Sequence, residues 1–142
     1  MKIMTENFKI LTEFIKDMSS ETKDIPTYLF VKDNISKYHL NIDITSKPHK
    51  NKLIEVNTCL KFEDKEENKK KSYFEIIYAS IIKIDEDIKE KKDLEKIILC
   101  DVQNQIYQNI EKAFLNLLNS SGYKGVSLKK VDFDKLYNER FN

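Results

Sequence analysis

Glycine and proline occur only twice each in these 142 residues, histidine and cysteine twice each, and tryptophan not at all. Two glycines cannot build a Gly-rich phosphate cradle. Neither a Gly-x-Ser-x-Gly elbow nor a His-Glu-x-x-His pair is present, which removes the common signatures of nucleotide, serine-hydrolase and zinc-protease chemistry. Cys59 and Cys100 lie far apart, with no Cys-x-x-Cys and no adjoining histidine, so they read as two buried thiols rather than a zinc site or redox pair. His39 falls on the polar side of a predicted strand and His49 in a turn after Pro48; both read as surface histidines.

An excess of charge of one sign is also missing. With 25 basic and 24 acidic residues the net charge is +1, which supplies no global attraction to nucleic acid or an anionic membrane. Lys69-Lys70-Lys71, set among acids, and Asp85-Glu86-Asp87, without the glycine and ligand periodicity of a calcium loop, read as solvated charge; no metal or other cofactor is expected. No run approaches the ~18 to 20 apolar residues of a membrane helix, and residues 1–10 lack the apolar core of a secretory signal. A cytoplasmic, soluble protein that does not insert into membranes is the expectation.

What is present is apolar and aromatic. Hydrophobic residues make up 40% of the chain, including seven tyrosines and eight phenylalanines, enough for one folded domain over residues 1–142. The most β-prone stretch is residues 72–84. At period two, Phe74, Ile76, Tyr78, Ile82 and Ile84 line one face and Tyr73, Ile77, Ala79 and Ile81 the other, broken only by Glu75 and Lys83. One face suits the chain's own helices, and the second predicts a partner surface.

Tyr38, Leu40, Ile42 and Ile44 alternate with polar residues, as do Ile54, Val56, Leu60 and Phe62 after a turn at residues 47–51, which predicts a hairpin. Periodicity in residues 8–18 favours a helix through Phe8, Leu11, Ile15 and Met18, followed by a loop over residues 16–26 ending at Pro26. Spacings of mostly three and four from Leu94 through Ile106, Ile110 and Phe114 to Leu118 predict one long amphipathic helix or two in series, stopped at Gly122. A short final helix follows, with Asp132 as its N-cap and Phe133 and Leu136 facing inward. Strands followed by helices mean an α+β domain with an antiparallel sheet and helices on one face.

Several of these stretches resemble the SecB family of export chaperones. Residues 8–21, containing Lys16-Asp17-Met18-Ser19-Ser20-Glu21, are similar to the family's first-strand signature, and Asp24-Ile25-Pro26 to its Asn-Ala-Pro. Tyr73-Phe74-Glu75-Ile76 resembles the strand before the helices, Cys100 the start of the long helix, and Val131-Asp132-Phe133-Asp134-Lys135-Leu136-Tyr137 the closing box. The prolines and arginine of the family's long-helix box are replaced between Cys100 and Asn109, and the chain is neutral where members are usually acidic.

The resemblance implies a four-stranded antiparallel sheet with a long helix and a short C-terminal helix, in a homotetramer built as a dimer of dimers. It moves residues 8–18 from helix to strand. It also implies a holdase without cofactor or catalysis, which binds unfolded precursor proteins in apolar grooves and delivers them to the SecA motor. The SecA-contacting positions would be Asp17, Glu21, Tyr73 and Glu75. The client groove is expected at the long helix, with Tyr107, Ile110 and Phe114 as candidates; only Tyr107 matches a family aromatic, and a place in the core is the equal alternative for all three. Competing readings are a SecB-like chaperone of a toxin-antitoxin system and a small α+β ligand-binding domain or enzyme.

Overall fold

A computed structural model describes residues 7–67 and 70–141; Lys69 of the lysine triplet and residues 1–6 of the predicted leaderless N-terminus lie outside them. The order is β1 (Phe8–Glu21), α1 (Ile25–Asn34), β2 (His39–Pro48), β3 (Leu53–Glu63), β4 (Tyr73–Ile84), α2 (Lys91–Lys96), α3 (Val102–Ser120) and α4 (Phe133–Phe141). The strands form one antiparallel sheet in the order β1-β4-β3-β2. The residues 72–84 stretch is thus an interior strand, which explains why it is apolar on both faces.

Strand β1 overturns the helical periodicity and agrees with the resemblance. Its register slips between Ile10 and Thr12 and again between Ile15 and Asp17, so Phe8, Ile10, Glu13, Ile15, Met18 and Ser20 pair with the even-numbered residues of β4 and share their face. Each bulge inserts a residue, and strand spacings of two alternate with three. That mixture imitates a helical stripe.

The expected loop at residues 16–26 is also corrected. The strand continues to Glu21, and Pro26 opens a helix instead of ending an element. Asp24 caps it by accepting the Thr27 backbone N–H at 2.9 Å. Helix α1 buries Thr27 and Val31 but leaves Ile25, Leu29 and Phe30 exposed, so no clean apolar stripe announces it.

Helices α2 and α3 are joined through a single wide π-helical segment, Ile97–Asp101. Beyond it Val102, Ile106, Ile110, Phe114 and Leu118 are all fully buried against the even-numbered face of β4. Gln103 is buried there too. Its Oε1 accepts from the Thr58 hydroxyl at 3.0 Å and its amide donates to the Ile98 carbonyl at 3.5 Å, which tethers the π segment to the sheet. Gly122, at φ +95°, ends α3, as the sequence predicts. A Cβ at this position would stand 2.8 Å from the Tyr28 ring, whose hydroxyl donates to the Gly122 carbonyl.

Asp132 caps α4 by accepting the Lys135 backbone N–H at 3.0 Å, as expected. Of the two residues expected to face inward, Phe133 is buried and Leu136 is 46% exposed. Tyr137 takes the inward place instead, one position on. Both cysteines are free, but only Cys100 is buried, with its thiol donating to the Asp134 carboxylate; Cys59 is half-buried. Burial and that carboxylate push the Cys100 thiol up to about 12.

Candidate binding surfaces

The face of the sheet away from the helices is less bare than the sequence suggests. Lys16, the extra residue at the second bulge, reaches Glu55 on β3 at 2.6 Å, so the contact passes over β4, which lies between the two strands. Asn57 and His49 also bond the Glu55 carboxylate, at 2.7 and 2.9 Å. Beneath this bridge Ala79 is fully buried, and neither Ile77 nor Ile81 is among the exposed large apolar residues. The surplus apolar surface lies instead along β1, where Leu11, Phe14, Ile15 and Met18 are each 43 to 47% exposed on a strand paired along one edge only.

The Lys16 hydrogen bond, followed by those of Asn57 and His49, pulls the Glu55 carboxyl from 4.5 to about 2. A carboxylate lowered on folding stabilises the native state above its ordinary value, and that contribution is lost as pH falls from about 4.5 toward about 2. Melting temperature followed from neutral pH into this window will therefore fall more steeply for the native sequence than for Glu55→Gln. Parallel curves would show that the bridge contributes nothing.

At the other end of the same face, register brings four of the predicted residues together. Asp17 pairs with Ile77, Ser19 with Glu75 and Glu21 with Tyr73, so Asp17, Glu21, Tyr73 and Glu75 share the helix-free side on adjacent strands. Asp17 and Glu21 are exposed and Tyr73 is 44% exposed. Glu75 differs from them. Its carboxylate is only 14% exposed and already accepts from Lys61 at 3.4 Å and from the Cys59 thiol at 3.6 Å. Burial and the Glu75 carboxylate push the thiol up to about 11, and Glu75 raises the Lys61 ammonium.

The three predicted groove residues separate. Ile110 and Phe114 are fully enclosed in the subunit's own core, because they lie on the face of α3 that meets the sheet. They present no surface to a ligand. Tyr107 is half-buried, packed edge-on to Phe133 with ring centroids 5.2 Å apart. Its hydroxyl is buried without a hydrogen-bond partner among the described residues, and burial pushes it up to about 12.

A larger concavity than the one beside Tyr107 lies elsewhere. It is a groove of about 950 Å³ over the helix-side face of β2, with Leu40, Ile42 and Phe62 on one side and Val126, Leu128 and Leu136 on the other. It exists because α3 packs on β4 and β1, leaving β2 to be covered by residues 124–132. The sequence reading missed it. Its only signal was Val126, Leu128 and Val131, apolar residues in a segment with no regular element, preceded by Gly125 at φ +77°.

Residues 2–142 match the family model described as preprotein translocase subunit SecB. The chain is similar to a putative protein-export protein SecB from Pelagibacter ubique (strain HTCC1062), at 61% identity over 98% of this chain and 100% of that one. It is 24% identical to a protein-export protein SecB from Parvibaculum lavamentivorans, over 93% of this chain and 77% of that one. Among solved structures, a SecB-like chaperone from Mycobacterium tuberculosis, in complex with a ChAD peptide from the HigA1 antitoxin, has the same fold. Its TM-score is 0.62 at 11% identity, with 88% of this chain and 91% of that one covered.

Proposed function

Because this chain belongs to the SecB family of protein-export chaperones, we propose that it is an ATP-independent holdase that keeps precursor proteins unfolded in the cytoplasm and delivers them to SecA. The observation that carries this reading is the apolar groove over β2, large enough at about 950 Å³ for several side chains of an extended segment. An extended client there needs only apolar side chains to be held, which suits a protein that must accept many sequences. Among the described residues no helix is long and apolar enough to cross a membrane, in keeping with action in solution.

Asp17, Glu21, Tyr73 and Glu75 form the SecA docking surface, with Asp17 and Glu21 supplying exposed carboxylates to a basic partner segment. The exposed apolar residues of the β1 edge support assembly into a homotetramer, a dimer of dimers, in which that edge meets a second copy. Tyr107 and Phe133 line a smaller, separate concavity that shares Lys130 and Val131 with the groove.

The test mixes the purified protein with a denatured precursor and with SecA, and follows light scattering. A tetramer that suppresses precursor aggregation without ATP and binds SecA is the expected result. A monomer that leaves aggregation unchanged would exclude the holdase reading.

A further inference from the structure

The groove's floor and its rim differ in chemistry. Around the apolar floor stand Lys124, Lys129, Lys130 and Lys135, all exposed, and none of the four forms an ion pair with a described residue. The acids that line it are Asp132 and Glu139. Asp132 is partly committed, since its carboxylate accepts the backbone N–H that starts α4. The rim is therefore basic in a chain whose overall charge is only +1.

The geometry points to a groove that selects apolar segments bracketed by aspartate and glutamate, and that disfavours those bracketed by lysine and arginine. This rests on the groove being the client site. The physical basis is that a client's apolar core fills the floor whatever its flanks are, while the flanks leave the groove past unpaired ammonium groups. Each such pair is solvent-exposed and weak, and the sum over both flanks amounts to roughly a fivefold to twentyfold preference at low salt. It is also screened by salt, because all four ammonium groups are exposed to solvent.

The experiment uses the full chain and three fluorescent peptides with one common apolar core, flanked at both ends by aspartate, serine or lysine pairs, with binding read by anisotropy at low and high salt. The expected order is aspartate tighter than serine and serine tighter than lysine, with the differences collapsing at high salt. Lys129→Glu combined with Lys130→Glu should reverse the order, and the gain of lysine-flanked binding is a readout that misfolding does not produce. Equal affinities, a preference for lysine flanks, or a difference indifferent to salt and to the double substitution would overturn the charge preference while leaving the groove reading intact, provided the serine-flanked peptide binds. Failure of all three peptides to bind would overturn both.

Discussion

Phe114→Ala is expected to lower the free energy of unfolding by about 3 to 5 kcal/mol, a melting-temperature loss of about 10 to 20 °C. Phe114 is fully buried and among the largest enclosed side chains of the chain, on the helix face that closes over β4. Removing the ring forfeits its transfer from water and leaves a cavity that the regular helix and sheet on either side are poorly able to collapse into. The same variant separates two roles. A groove residue would lose client affinity with little change in stability, whereas a core residue loses stability while the folded fraction still binds peptide. Denaturant titration beside peptide anisotropy reads both, and the second pattern is expected.

The Asp17→Lys, Glu21→Lys double variant is expected to weaken SecA binding at least about tenfold while the suppression of precursor aggregation persists. Both carboxylates are exposed, near one end of the sheet and on the face opposite the helices, so reversing them removes two attractive charges and adds two repulsive ones with little desolvation. Glu75→Lys is a less clean probe. It would set a second ammonium against Lys61 in a site only 14% exposed, and the loss of binding would be mixed with local rearrangement. Glu75→Gln keeps the shape, still accepts from the thiol, and tests the charge alone. Equal loss of SecA and client binding in the double variant would mean that this face is not a separate docking surface.

The strands β2, β3 and β4 and helix α3 were legible because each obeys one period for its whole length, with the inward positions mostly apolar and two of the polar ones, Thr58 and Gln103, bonded to each other. β1 was not, because two bulges break its period, and only a likeness to a known family restored it. Helix α1 escaped notice because its apolar residues Ile25, Leu29 and Phe30 face outward, so its sequence carries a cap and a proline but no buried stripe. Asp17 and Glu21, expected in a turn after the first strand, lie within β1 instead, and it is the strand register that puts them on one face with Tyr73 and Glu75. The groove was not foreseen because it depends on where an irregular segment lies over an edge strand, and no local pattern encodes that placement. Ile110 and Phe114 were groove candidates for which a core place was equally open, and their spacing with Ile106 and Leu118 is that of the buried stripe they occupy.

The segment over β2 is fastened at Tyr123 and at Phe133, both 3% exposed, while residues 124–131 between them belong to no helix or strand. Between those anchors the segment is held by side chains, Val126 and Leu128 packing on the core, rather than by a strand ladder or helix. If a client fills the channel, a bulkier side chain would be admitted by rotating the backbone torsions of this stretch, without moving the sheet or α4.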